Sequence, residues 1–232
     1  IHPSMTNEAL YRRVLNAHFR IGKPENLGAL ISYAAASGAP EKGRVEALRI
    51  LNHWTTVSPR DRVCGAWFPL GYNSVPGSKR SNRDLKRLLT EKLPSLLDSS
   101  DMVALETISL VERLDIEVHP KKLSEWILDD NKSSILRLSG LNLLAKVGGA
   151  ELSKAVNGVL SDEDPELRSR ALVLLSKNNR SEAEKILSKI LRGSSIRQKQ
   201  TVIRALPELN SKFSKNSISE LAKKMNEGEL DS

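Results

Sequence analysis

Apolar residues recur at helical spacing along almost the whole chain, and polar residues fill the positions between them. The clearest case is the segment DEDPELRSRALVLLSK, residues 162–177. One apolar face of this segment is formed by Leu167, Ala171, Leu174 and Leu175. Asp164 is a favourable N-cap residue, and Pro165 follows at the first helical position, where its missing N–H costs nothing. The pattern therefore predicts a helix that begins directly after Asp164.

The same arrangement recurs when other segments are aligned on the arginine of this helix. The aligned positions are Arg44, Asp101, Arg137, Arg168 and Arg197. Three of the four intervals between them, 36, 31 and 29 residues, lie in the range of a two-helix repeat. At four of the five positions a small residue follows three places later, which suits helices that pack closely; Gln200 is the weaker match. Recurrence in register favours a stack of similar helix pairs over a non-repetitive bundle, the alternative interpretation.

Second helices are predicted between these positions, joined by turns rich in Gly, Asn, Asp or Ser. Their apolar stripes cover residues 85–97, 123–128, 152–160 and 183–191, and a first pair covers 10–21 and 27–36. Aromatic residues make up only 4% of the chain, and few runs of strand type occur. We therefore expect an all-α chain of about six antiparallel helix pairs, an α-solenoid, with residues 1–232 as a single repeat domain interrupted by an irregular insertion at about 55–81.

The segment DEDPELRSRALVLL resembles the HEAT-repeat consensus, in which acidic turn residues precede an Arg-x-x-Ala-Leu helix. This resemblance implies right-handed stacking of helix pairs and an Asp–Arg ladder between neighbouring repeats. Asp162 or Asp164 with Arg168 fits such a ladder, whereas Asp101 departs from it. The residues that the resemblance makes packing residues between repeats are Arg44, Arg137, Asp164, Arg168 and Arg197.

A narrower likeness concerns RVEALRILNHWTTVSPRDRVCGAWFPL, residues 44–70, and the later residues 191–209. These segments are similar to the HEAT region of large bacterial membrane-bound dehydrogenase-like proteins. The shared features are Trp54 at the end of a helix and an R-D-R-x-x-G-x-W-x-P-L stretch from Arg60 to Leu70. In that family a β-propeller precedes the repeats and a c-type cytochrome follows. The likeness implies that the chain is a piece of a larger oxidoreductase, carries neither catalytic module, and is periplasmic or exported.

The predicted insertion is the most irregular part of the chain, and long loops in compact stacks are usually functional or disordered. It contains two of the six Trp and Tyr residues, together with Phe68, which disfavours disorder. One interpretation makes it a docking element for a protein partner or a neighbouring domain, with Trp67 and Phe68 as anchors. In the other, its apolar residues only pin it onto the helices. The candidate interaction residues are Arg60, Arg62, Trp67, Phe68, Tyr72, Lys79, Arg80, Arg83 and Arg87.

The formal net charge of +8 and the pI near 9.6 permit nucleic-acid binding as an alternative function. Five basic residues and one acid, Asp84, lie between Lys79 and Arg87, and they form the cluster through which such binding is expected. A solvated helix face explains the same cluster. The recurring arginines argue less for phosphate contacts, because they occupy a position that the HEAT consensus reserves for packing.

Residue patterns that would indicate catalysis or a cofactor are missing from the sequence. Cys64 is the only cysteine, so neither an internal disulfide nor a multi-cysteine zinc or haem motif can form. The four histidines are scattered singly, without metal-ligand spacing. No apolar run approaches the ~18–20 residues that span a bilayer. We therefore expect a non-catalytic scaffold for protein–protein or interdomain contacts, with no catalytic residue, cofactor, metal or membrane insertion.

Overall fold

The structure is a computed structural model that describes residues 1–67, 80–193 and 196–227; inside the later helices, the side chains of 193, 196–198, 200, 201 and 225 are not described. Over these residues the chain forms twelve helices and no strand, apart from one isolated bridge between Arg60 and Trp67. The helices are α1 Glu8–Ile21, α2 Pro24–Ala35, α3 Glu41–Asn52, α4 Asn82–Leu97, α5 Asp101–Leu114, α6 Pro120–Ile127, α7 Ser134–Val147, α8 Gly149–Val159, α9 Pro165–Asn178, α10 Arg180–Gly193, α11 Ile196–Leu209 and α12 Lys212–Asn226. The expected all-α class is confirmed. None of these helices has the length and hydropathy that crossing a membrane requires.

Helix boundaries follow the local signals in the sequence. The Asp164 carboxylate caps α9 by accepting hydrogen bonds from the backbone N–H groups of Glu166 and Leu167, at 2.7 and 3.1 Å. Pro165 is the first helical residue, as predicted. Gly148, at φ +77°, ends α7 and precedes α8. Residues 147–150, with the sequence VGGA, therefore form a turn that links two helices. Helix α12 was not delimited by the recurring arginine pattern, which stops at residue 197.

The chain divides into two compact units, Ile1–Val118 and His119–Ser232. In the first unit, each helix packs against helices one or two places away along the chain: α1 on α2 and α3, α2 on α3 and α4, and α5 on α3 and α4. The core includes Leu15, Tyr33, Leu48, Trp54 and Leu89, all no more than 2% exposed. Burial of these apolar side chains supplies the main driving force for packing.

The second unit has the same rule of neighbour packing. Helices α7, α9 and α11 pack side by side in that order, while α6 and α8 pack on α7, and α10 and α12 pack on α11. One buried cluster joins α9, α10 and α11 through residues including Leu172, Leu187 and Leu206. Gly140 lies at the predicted small-residue position of α7, and a Cβ atom there would be 3.4 Å from Ile127 Cγ1. The small residue therefore permits the close approach of α6 and α7.

Two of the aligned arginines are buried and make equivalent contacts. Arg44 Nε donates to the carbonyl of Ala34, and Arg137 Nε donates to the carbonyl of Ile127, at 2.7 and 2.9 Å. Each acceptor lies ten residues earlier, near the end of the preceding helix. The second end of each guanidinium reaches the turn before the helix two places further along, where Arg44 donates to Ser99 Oγ. Each arginine thus ties its own helix to the helix before it and to the turn after the next one.

Asp162 provides the corresponding acceptor for Arg137. Its carboxylate is 8% exposed and pairs with the Arg137 guanidinium, and its backbone carbonyl accepts from Arg168. Asp130, on the surface, adds a contact to Arg137 at 3.1 Å. We expected Asp162 or Asp164 to pair with Arg168; the Asp162 side chain pairs with Arg137 of α7, and Arg168 donates to the Asp162 backbone carbonyl. The Arg197 side chain lies outside the described residues.

Candidate interaction surface

The first part of the insertion, residues 55–67, forms a short turn that is stabilised from within. The backbone N–H of Asp61 donates to the Ala66 carbonyl at 2.8 Å, and the N–H of Gly65 donates to the Asp61 carbonyl at 3.0 Å. The Asp61 side chain accepts from the N–H groups of Val63 and Cys64, at 2.8 and 3.0 Å. Gly65 has a φ of +71°, which favours glycine. This turn brings Arg60 and Trp67 side by side in the isolated bridge.

The Asp61 carboxylate fastens this turn to α1. Asn16 Nδ2 donates to Asp61 Oδ2 at 2.7 Å, and Arg20 Nε lies 3.7 Å from the same oxygen. Burial by itself raises the pKa of Asp61, but the backbone hydrogen bonds from Cys64 and Val63 and the Asn16 hydrogen bond lower it, with a net result of about 2. The carboxylate is therefore charged at neutral pH and holds its partners in that form.

Arg62 makes a second attachment, to α3. Its Nε lies 3.6 Å from Glu46 Oε1, and both side chains are mostly buried, at 29% and 17% exposure. The two neighbouring residues Asp61 and Arg62 thus contact two different helices. Arg62 was predicted as an interaction residue for a partner, and the contact that the structure gives it is internal.

Arg80 anchors the chain two residues before the start of α4. Its guanidinium carbon lies 4.9 Å from the ring centre of Phe19 and 4.7 Å from that of Trp54. It also donates to the backbone carbonyls of Phe19, Arg20 and Trp54. Burial, and to a smaller extent the charge of Arg20, lowers its pKa. Arg80 therefore caps the carboxyl ends of α1 and α3 from the inside, a structural role that its place in a basic cluster did not predict.

The outer side of the turn is exposed. Trp67 is 68% exposed, the largest exposed fraction among the large apolar side chains of the described residues. Arg60 and Cys64 are exposed beside it, and Arg13 of α1 is exposed across a groove that Val63 and Cys64 also line. Neither Arg13 nor Arg60 forms an ion pair within the described part of the chain. Trp67 does not pin the insertion to the helices; Asp61 and Arg62 do this instead.

The remaining predicted interaction residues fall into two groups. Phe68, Tyr72 and Lys79 lie outside the described residues. Arg83 and Arg87 lie on the exposed side of α4, where Arg87 pairs with Glu91 at 3.3 Å. Lys86, a further member of the basic cluster, donates to the Asp115 carbonyl at the end of α5. Much of the charge between 79 and 87 is therefore engaged within the protein.

Sequence reasoning did not single out Asp61 or its partners Asn16 and Arg20. An aspartate that starts a tight turn is a recognisable signal, because its side chain readily binds the N–H groups two and three residues later. The contact of Asp61 with α1 has no local signal, because Asn16 lies 45 residues earlier in the sequence.

Within the ranges that the structure describes, no group of three or more His, Cys, Asp or Glu side chains is placed to hold a metal ion. The surface of the turn is instead apolar and cationic, a chemistry suited to contact with another macromolecule. No protein-family model, curated protein or solved structure matches the chain.

Proposed function

We propose that this chain is a non-catalytic scaffold of HEAT-like repeats, a right-handed α-solenoid of about six helix pairs that binds a protein partner or a neighbouring domain of a larger parent protein. Two observations support the repeat architecture. Within each unit, helices pack on those one and two places away. Arg44 and Arg137 also make the same contact with a carbonyl ten residues earlier.

The exposure of Trp67 on a fastened turn carries the binding proposal. A tryptophan offers a large, rigid contact area with an apolar body and an N–H donor. Asp61 and Arg62 hold the base of the turn, so the position of Trp67 is largely set before any partner arrives. Preorganisation of this kind lowers the entropic cost of binding. Tryptophan and arginine are also the residues most enriched among binding hot spots.

Photo-crosslinking from Cys64 tests this proposal without an added cysteine. Cys64 is exposed on the same turn as Trp67 and is the only cysteine of the chain. A maleimide–benzophenone reagent is attached to Cys64, and the labelled chain is added to an extract of its source cells at the concentration that the protein has in the cell. Irradiation should then give one dominant crosslinked peptide. That peptide identifies either another protein or a further domain of the parent.

The matched variants are Trp67→Ala and Arg60→Ala, with Arg170→Ala as the control on another surface. We expect the first two to reduce the crosslink by about tenfold, as is typical for hot-spot truncations of more than ~1.4 kcal/mol, and the control to leave it unchanged. A crosslink pattern that is the same in wild type and Trp67→Ala would contradict the proposal.

The larger parent protein can be tested separately. If the dehydrogenase-like resemblance holds, the reading frame around this chain encodes a β-propeller before it and a Cys-x-x-Cys-His motif after it. A frame without either would exclude that parent and the exported location that it implies, and would leave the scaffold proposal intact. Nucleic-acid binding at residues 79–87 is less favoured, because Arg80 packs inside the protein and Lys86 and Arg87 make surface contacts with Asp115 and Glu91.

A further inference from the structure

The carboxyl-terminal helices contain a second surface that the Trp67 turn does not use. Residues 180–224 carry eleven Lys and Arg against four Asp and Glu. A groove of about 460 Å³ lies among α10, α11 and α12. Its lining residues are Ser188, Leu191, Arg192, Lys199, Phe213, Ser217, Glu220, Leu221 and Lys224. The excess positive charge of this segment thus coincides with a concave site.

Most of the polar groups in the groove donate hydrogen bonds. The only acid, Glu220, is paired with Lys224 at 3.0 Å. Arg192 and Lys199 form no ion pair with any described residue. Phosphate oxygens only accept hydrogen bonds, whereas a peptide backbone needs acceptors as well as donors. The lining therefore suits a phosphate-bearing ligand better than a polypeptide.

Helix dipoles account for two of the three cations that line the groove. Arg192 and Lys224 lie in the last turns of α10 and α12, where positive charge is favourable. Lys199 lies in the first turn of α11, where positive charge is unfavourable. The dipole of its own helix therefore does not explain the charge of Lys199.

We propose that this groove binds the backbone of single-stranded nucleic acid, with Arg192 and Lys199 contacting successive phosphates and Ser188 beside them. Phe213, half-buried in the wall of the groove, offers a ring on which a base stacks. Leu191 and Leu221 are also half-buried and do not protrude, which disfavours insertion into a lipid surface. The site rests on residues other than those of the proposed protein-binding turn.

Fluorescence anisotropy with a labelled 20-nucleotide single strand tests this site in the full chain. We expect Arg192→Gln/Lys199→Gln to weaken binding by about tenfold at low salt, and to flatten the slope of log K against log salt by about 1.4, which is ~0.7 for each lost phosphate contact. The matched control, Lys154→Gln/Lys177→Gln, removes the same net charge from exposed positions outside the groove. It should change affinity by less than about twofold.

Lysine footprinting on the wild-type protein gives a second measurement that needs no variant. Bound oligonucleotide should protect Lys199 and Lys224 from acylation and leave Lys154 and Lys177 reactive. Equal weakening by the two double variants, no binding by the wild type at low salt, or absent protection of Lys199 would overturn the proposal. Tighter binding of a poly-glutamate peptide with the same dependence on Arg192 and Lys199 would assign the groove to an acidic protein instead. Loss of the Cys64 crosslink in Trp67→Ala is independent of all these outcomes.

Discussion

Two buried arginines, Arg44 and Arg137, add polar links between successive helices to the apolar packing. Arg137 and Asp162 are 7% and 8% exposed, and Arg137 also donates to the Ile127 carbonyl. A buried ion pair contributes little net stability, but removal of one partner is costly because it leaves an uncompensated charge. At the surface, Arg204 and Glu166 form a comparable pair at 2.8 Å that is about half exposed on each side. Breaking an Arg–carboxylate pair should therefore cost more stability at Arg137 than at Arg204.

We expect Arg137→Met to lower the free energy of unfolding by about 3 kcal/mol, since it leaves Asp162 Oδ2 and the Ile127 carbonyl without their donor. Urea denaturation followed by circular dichroism measures this loss. Arg204→Met is the matched control and should cost less than about 1 kcal/mol, as for exposed pairs generally. Equal losses in the two variants would show that Arg137 has no special packing role.

The Asp61 carboxylate should make stability depend on pH in the acid range. Its pKa is about 2 in the folded protein, below the value of about 3.9 expected for an unfolded chain. A group with a depressed folded pKa contributes stability above its unfolded pKa and loses that contribution as the pH falls towards the folded value. We therefore expect Asp61→Asn to destabilise the protein at pH 6, and the difference from wild type to shrink between pH 5 and 3. Unfolding curves at several pH values measure this, and parallel curves would contradict it.

At the scale of elements, individual side chains stabilise the helix ends and anchor the insertion. The N-cap of α9 uses the Asp164 side chain, whereas Ser100 at the N-cap of α5 makes no side-chain hydrogen bond to its helix. The insertion is held at both described ends, by Asp61 on α1 and by Arg80 on α1 and α3. Gly22 makes room for Arg80, because a Cβ atom at Gly22 would lie 2.4 Å from one of its nitrogens.

The two N-caps give a matched pair of substitutions. We expect Asp164→Ala to cost about 1 kcal/mol, because the N–H groups of Glu166 and Leu167 lose their acceptor. Ser100→Ala should cost clearly less, since no capping hydrogen bond is lost. Thermal unfolding of the two variants compares them directly. A larger loss for Ser100→Ala would mean that capping is not what Asp164 contributes.

Removal of the Arg80 guanidinium should loosen the insertion. In Arg80→Met, the carbonyls of Phe19 and Trp54 lose a donor and the two rings lose their cation. We expect faster amide exchange in residues 55–67 and at the carboxyl end of α1, together with a lower unfolding free energy. Arg83→Met, an exposed neighbour on α4, is the control and should leave exchange unchanged. Unaltered exchange in Arg80→Met would indicate that Asp61 alone fastens the segment.

At the scale of the whole molecule, short-range packing divides the chain into two compact units, Ile1–Val118 and His119–Ser232. Within each unit, helices pack on those one or two places away, so stabilising contacts are local in sequence. If the proposed repeat architecture is correct, stability is distributed along the chain and approximates a sum of neighbouring terms. A core substitution should therefore act mainly near its own position.

We expect Leu206→Ala to raise amide exchange in α9, α10 and α11, because Leu206 belongs to the buried cluster that joins them. The loss in unfolding free energy should be about 2–5 kcal/mol, as for other buried leucines. Leu48→Ala, fully buried in the first unit, should instead raise exchange in α1 to α5. Hydrogen exchange with mass spectrometry resolves the two regions. A uniform rise over the whole chain in both variants would contradict local stability.

The helices themselves could be predicted from the sequence because their signals are local. Apolar residues at helical spacing, Asp164 with Pro165, and the glycines of VGGA act within a few residues of one another, and the all-α class follows from them. The burial of Arg44 and Arg137 could also be anticipated, since recurrence in register marks positions that repeats use alike.

Contacts between distant residues were decided only by the tertiary structure. Arg60, Arg62 and Arg80 look alike in the sequence, yet Arg60 is exposed, Arg62 pairs with Glu46, and Arg80 lies over two aromatic rings. Each outcome depends on which backbone and side-chain atoms long-range packing brings within reach of the guanidinium. The sequence by itself determined that the chain is helical and where α9 begins, because hydrogen bonds within a helix and at its cap are local. Which cations serve packing and which face water was determined by packing between segments far apart in the chain.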